Sequence, residues 1–232
     1  AWSGTIHDTA STACVVAMIL ARERASELAK NAGGLQSAPA PLVVYTTGQA
    51  HSSVAKAVQL AGFGNDNLRL IDEDPYTRAM LPSALASAIE ADLAAGRVPA
   101  GIVCSVGTTG TTAMDPVEAI AAIANRHNAW LHVDAAMAGS AMLLPECRHL
   151  WQGVEQADSL AWNPHKWMGT ILDTTVFYVR DVDFLERVMS TNPAYLRSAA
   201  DGKVTQYRDW GIPLGRRFRA LKLWFHLRLD GP

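Results

Sequence analysis

The chain has 232 residues, of which 49% are hydrophobic and 18% charged, and a formal net charge of −2. This composition belongs to a globular protein with a large core and excludes a disordered chain, and so small a charge supplies no field for nucleic acid or an anionic membrane. Cys14, Cys104 and Cys147 are far apart with no CxxC pair, as expected of reduced thiols rather than a disulfide framework or zinc site; no apolar run reaches the ~20 residues that span a bilayer, no signal-peptide pattern is visible, and a cytoplasmic protein is expected.

Along the chain, helix and strand patterns alternate. Thr12 to Lys30, rich in Ala, Leu, Met, Arg and Glu, follows the N-cap candidates Asp8-Thr9-Ala10-Ser11 and stops at Gly33-Gly34, so it predicts a helix. Pro41 to Tyr45 predicts a buried strand, Ser52 to Leu60 a helix, and Leu68 to Ile71 a short strand. Pro82 opens a helix that Ser83 to Ala95 continues to Gly96. Ile102 to Val106, Trp130 to Val133, Ser159 to Trp162 and Thr175 to Val179 read as strands, Pro116 to Asn125 as a helix, and Leu214 to Leu229 as a final amphipathic helix with dense Arg and Lys. Short apolar strands separated by helices predict an α/β fold, with a mostly parallel sheet covered on both faces. Ligands of such sheets collect at the carboxyl ends of the strands. His51, Thr108-Thr109, Asp134 and Asn163 all fall there.

The most informative pair is Asp134 and Lys166, 32 residues apart. Lys166 follows the turn Asn163-Pro164-His165 and is a candidate Schiff-base amine. Asp134 closes the apolar strand Leu131-His132-Val133, where a carboxylate is costly unless paired with a positive charge. Together they are the two polar anchors of a pyridoxal phosphate (PLP) site, a lysine for the aldehyde and a carboxylate for the pyridine nitrogen. Backbone N–H groups at Asp8-Thr9-Ala10-Ser11, with the hydroxyls of Thr9 and Ser11, could hold a phosphate at a helix start, or form an ordinary N-cap. Asn163 and His165 could also reach that phosphate. Small residues at Ala135, Ala136 and Gly139 would let a flat ring approach the backbone, and His51 could stack on it, cap a helix or sit in the core. His132, two residues before Asp134 on the same strand face, could hydrogen-bond its carboxylate. No HExxH or paired-ligand spacing supports a metal site.

Seven segments resemble the group II PLP-dependent amino-acid decarboxylases, in the aromatic-L-amino-acid decarboxylase branch. They are Asp8 to Ser11, Gln49 to Ser53, Gly107 to Thr109, His132 to Ala136, Asn163 to Lys166, Asn192 to Leu196, and Ile212 to Arg219. The resemblance implies a fold-type-I large domain spanning residues 1–232, a seven-stranded mostly parallel sheet, and a homodimer with sites near the subunit interface. It also implies a longer protein, with an N-terminal segment and a C-terminal small domain outside this chain. By the resemblance, Lys166 carries the cofactor, Asp134 pairs with the pyridine nitrogen, His51 stacks on the ring and Ala136 packs on its opposite face. Thr109 lies near the ring substituents, and Thr9, Ala10, Ser11, Asn163 and His165 contact the phosphate. Tyr195 matches the tyrosine that helps to protonate the substrate carbon after carbon dioxide leaves. Relatives that make aldehydes tend to replace that tyrosine or the stacking histidine; retention of both implies decarboxylation to the amine. Gly215 stands where some relatives resemble one another in carrying serine, which implies room for a catechol or indole. A glutamate- or cysteine-sulfinate-type decarboxylase and a non-catalytic PLP-binding fragment are the alternative readings.

Overall fold

The central apolar runs become strands because they can bury both faces between helices. The computed structural model describes residues 1–191, 195 and 203–231. Its strands are β1 (Ser3–His7), β2 (Leu42–Thr47), β3 (Leu68–Ile71), β4 (Val98–Ser105), β5 (Trp130–Ala135), β6 (Ser159–Trp162) and β7 (Thr175–Val179). They form one seven-stranded sheet in the order β1-β7-β6-β5-β4-β2-β3. All neighbouring pairs from β6 to β3 are parallel, and β7 alone runs against its two neighbours, β6 and β1. The helices are α1 (Ala10–Ala25), α2 (Ser53–Leu60), α3 (Pro82–Ala94), α4 (Val117–Arg126), α5 (Val182–Met189) and α6 (Ala220–Leu229).

Alternation along the strands divides the core in two. On one face Leu42 and Val44 of β2 pack with Met18 and Leu20 of α1, Val58 of α2 and Leu185 of α5. On the other, Val43 and Tyr45 pack with Leu85 and Ile89 of α3 and Ile120 of α4. Both faces of the sheet are therefore covered, as expected. Helix α1 lies across the middle of its face and is buried on several sides, from Ala13 to Glu23.

Several boundaries differ from expectation for local reasons. Helix α1 ends at Ala25 rather than Lys30, because Glu27 and Leu28 take left-handed backbone angles (φ 52° and 65°) and the Leu28 N–H bonds back to the Glu23 carbonyl at 2.8 Å. The buried Glu23 carboxylate accepts from the Lys30 backbone N–H at 2.9 Å, and the Lys30 ammonium donates to the Val188 carbonyl at 2.8 Å. Strand β4 begins at Val98, four residues before Ile102, and pairs with β2 through a register shift opposite Val43/Val44. Helix α6 starts at Ala220 rather than Leu214, because the Arg216 guanidinium is drawn to β1, donating to Thr5 Oγ1 at 2.7 Å and to the Ile6 carbonyl. Strand β1 and helix α5 were not expected at all. Among the described residues no helix is long and apolar enough to cross a membrane.

Candidate active site

The carboxyl ends of β2, β4, β5 and β6 and the turn between β1 and α1 meet at one cleft of about 190 Å³. Thr9, in extended backbone (φ −137°, ψ 160°), caps α1, its Oγ1 accepting from the Thr12 N–H at 3.4 Å. Asp8 Oδ1 accepts the Thr9 N–H at 2.8 Å, which fixes the turn. The next amides, of Ala10 and Ser11, have no carbonyl to bond within the helix, and both residues line the cleft. An anion there would meet free donors and the positive end of the helix dipole.

Asp134 enters from the end of β5. Its Oδ1 accepts the Ala136 N–H at 3.0 Å, which tightens the strand exit. Its neighbour His132 does not touch it, contrary to expectation. The His132 ring lies under the sheet, fully buried, with Nδ1 2.9 Å from Ser159 Oγ on the paired strand. Ser159 Oγ also accepts the Trp130 indole N–H at 2.8 Å, so Trp130 and His132 share this one hydroxyl. His132 Nε2 has no partner. Burial, opposed by the Asp134 charge and a hydrogen bond to the Ser159 backbone, pushes the His132 pKa down to about 4.

Lys166 sits on the turn that the sequence marks, its N–H bonding the Asn163 carbonyl at 3.0 Å. Asn163 is buried, and its Oδ1 accepts from Thr175 Oγ1 at 2.7 Å, which leaves the Nδ2 amine as its donor. His165 Nδ1 accepts the Thr174 N–H at 2.9 Å, so the neutral ring carries its hydrogen on Nε2. Burial holds this histidine below its usual pKa, with Lys166 and Lys222 adding to the effect. Opposite, His51 Nδ1 accepts the Ser53 N–H at 3.2 Å and lies 2.8 Å from Ser53 Oγ, so the start of α2 orients the imidazole.

Thr9, Ala10, Ser11, His51, Thr109, Asp134, Ala136, Asn163, His165 and Lys166 all line this one cleft, as expected. Tyr195 does not: it is 80% exposed and is not among the described residues of the lining. The rest of Asn192 to Leu196 lies outside the described residues. Gly139 does not open room for a ring, because a Cβ there would stand 2.2 Å from Trp162 Cδ1; its missing side chain accommodates the indole. Gly215 has open space where a Cβ would stand, but lines a separate cavity with His7, Asp8 and Arg216. Sequence reasoning missed Ser53, Ser105, Gly107 and Met137 as cleft residues. Gly107 carried a signal: it has φ +85°, and a Cβ there would stand 2.4 Å from the Ala138 Cβ, so only glycine lets the β4 exit pack so closely on the β5 exit.

The donor set fits PLP group by group, with an amine for its aldehyde, a carboxylate for its ring nitrogen, and free amides with hydroxyls for its phosphate. A family model described as the pyridoxal-dependent decarboxylase conserved domain matches residues 2–232. The chain belongs to the pyridoxal-dependent decarboxylase family. It is 45% identical over 231 residues to phenylacetaldehyde synthase of Arabidopsis thaliana, and 45% identical over 231 residues to tryptophan decarboxylase 2 of Oryza sativa subsp. japonica. Each match covers 98% of this chain and 46% of the relative, so the chain spans about half the length of these decarboxylase-family relatives. The solved structure of Oryza sativa TDC with PLP and tryptamine superposes with a TM-score of 0.94 at 43% identity, over 99% of this chain and 47% of that one. The expected fold-type-I sheet is thus the observed one.

Proposed function

We propose that this chain is the PLP-binding large domain of a decarboxylase that converts an aromatic L-amino acid to its amine and carbon dioxide. The observation that carries the reading is the meeting of Lys166, Asp134 and the α1 amides in one cleft at the carboxyl ends of the strands. Lys166 would hold the cofactor aldehyde, Asp134 the pyridine nitrogen, and Thr9, Ala10, Ser11, Asn163 and His165 the phosphate. His51 and Ala136 would flank the ring, with Thr109 at its substituents. Bound PLP supplies a protonated ring that accepts the electron pair released when the bond from Cα to the carboxylate breaks. The Asp134 carboxylate would keep the ring proton in place, and the Tyr195 phenol, which stands outside the cleft in this chain, would return a proton to the substrate Cα once brought to it.

An aromatic substrate is favoured over glutamate or cysteine sulfinate because the tryptophan decarboxylase of Oryza sativa is 45% identical to this chain and mouse CSAD 34%. Overall identity does not separate amine from aldehyde formation, since a phenylacetaldehyde synthase and a tryptophan decarboxylase match equally at 45%. His51 and Tyr195, both retained, favour the amine. A homodimer is part of the proposal, supported by uncovered apolar side chains on and beside α6, among them Phe218 (75% exposed) and Trp224 (54%). A cytoplasmic location is supported by three free thiols.

The test is an absorption spectrum of the protein with PLP before and after borohydride. A visible imine band that borohydride abolishes, with the reduced cofactor mapped by peptide sequencing to Lys166, is the expected result; the Lys166→Ala protein should show neither. Imine formation at another lysine, or none, overturns the assignment.

A further inference from the structure

A directed chain of hydrogen bonds joins two walls of the cleft outside the residues so far given roles. The Ala113 backbone N–H donates to Thr108 Oγ1 at 2.9 Å, Thr108 and Thr111 hydroxyls are 2.8 Å apart, and Thr111 Oγ1 donates to Gln49 Oε1 at 3.2 Å. Its direction is forced, because a backbone N–H only donates and an amide oxygen only accepts. Thr111 therefore spends its hydrogen on Gln49 and receives that of Thr108. The chain runs from the exit of β4, which carries Thr108 and Thr109, to the exit of β2, which carries His51.

Gln49 is tied at its other end as well. Its backbone N–H donates to Glu73 Oε1 at 3.2 Å, and Glu73 Oε2 is held by Arg78 at 3.0 Å. Glu73 pairs with Met80 in an isolated bridge. The Met80 N–H in turn donates to Asp115 Oδ1 at 2.7 Å, and Asp115 Oδ2 accepts the Ser105 N–H at 2.7 Å. Ser105 ends β4, so the links form a closed circuit that runs from one cleft wall to the other and back. His51 is two residues from Gln49, and its own ring is oriented by Ser53.

We propose that Gln49 and Thr111 are positioning residues, a tie between the β2 and β4 exits that sets the spacing at which His51 and Thr109 meet the cofactor ring. The inference rests on the PLP reading above. Both residues act through others; neither lines the cleft. Thr111 is exposed, so replacing it does not disturb the core.

The test compares wild type with Thr111→Val, which keeps the shape and removes the hydroxyl, and Thr111→Ser, which restores it. Titrated with PLP, the valine protein should bind about two- to tenfold more weakly, the scale of one net hydrogen bond. Its bound PLP should show an altered induced circular dichroism, while the melting temperature without PLP stays at the wild-type value and the serine protein behaves as wild type. Wild-type affinity and dichroism in Thr111→Val overturn the proposal. Amide exchange from Gln49 to Ser53, measured without PLP, reads the tie separately: it should quicken in the valine protein alone, and unchanged exchange also overturns the tie. Quickened exchange with no PLP uptake by wild type overturns the cofactor reading and leaves the tie standing.

Discussion

Replacing His132 by asparagine tests the neutral, buried histidine under the strand that carries Asp134. The asparagine amide can still hydrogen-bond Ser159 Oγ, but the side chain no longer titrates. In the denatured chain His132 takes up a proton near its ordinary pKa of 6.5, whereas in the folded chain it does so only near about 4. Between these values the denatured state binds more protons, so stability rises with pH through the window, is fully present above it, and is lost as pH falls from 6.5 toward 4. Between pH 7.5 and 5 a single such group contributes about 2 kcal/mol, at ~1.4 kcal/mol per pH unit. His7 has the same lowered value of about 4, through burial and then the nearby Arg216 charge, so these two groups together take about 4 kcal/mol from wild type over this range, and His132→Asn should lose about 2 kcal/mol less than wild type. Asparagine is smaller than histidine, and the variant should start about 1–2 kcal/mol less stable at pH 7.5. The decisive quantity is therefore the pH slope, measured from urea unfolding followed by tryptophan fluorescence at both pH values. Equal losses in the two proteins would refute the buried neutral assignment of His132.

Two further changes probe the frame and the chemistry separately. Asp92 is buried at the end of α3 and accepts from Tyr45, Arg69 and Arg97 at 2.8–3.0 Å. Asp92→Asn should cost about 2–3 kcal/mol, at or below the usual cost of breaking a buried pair because both arginines can rehydrate. That corresponds to a fall of roughly 5–10 °C in melting temperature with unchanged PLP affinity; a weakened PLP site would contradict the separation of this cluster from the cleft. Burial raises the Asp92 pKa but the three donors outweigh it and hold the carboxyl below 3.8, so its contribution is present at neutral pH and lost only as pH falls below that value. Tyr195→Phe should move product from amine toward aldehyde, measured by chromatography of the reaction mixture; an unchanged amine yield removes Tyr195 from the proton transfer.

The parts of the site that were legible in the sequence are those whose position follows from one strand and the turn after it. Asp134 closes β5 and Lys166 follows an Asn-Pro turn after β6, so a parallel α/β reading already brings both to the same sheet edge. What depends on the neighbouring strand was not legible. His132 and Asp134 share a face of β5, but successive same-face residues are about 6.6 Å apart, while the register sets His132 beside Ser159, whose hydroxyl is within 2.9 Å. One strand's pattern carries no register, so the nearer partner could not be read. Strand β1 was missed for a related reason. Ser3-Gly4-Thr5-Ile6-His7 shows little apolar alternation, and it is a strand because β7 pairs with it from Ser3–Val179 to His7–Thr175. The error at α1 runs the other way: Glu27 to Lys30 suit a helix by propensity, and the Glu23 carboxylate and the end of α5 pull them out of it. The Gln49–Thr111 tie belongs to the same class, since it joins side chains 62 residues apart through loops that carry no periodic signal. Local pattern thus located the charged groups that do chemistry, whereas the spacing between them is set by contacts between chain segments. Substitutions at such contacts should alter cofactor geometry while leaving every motif of the sequence intact.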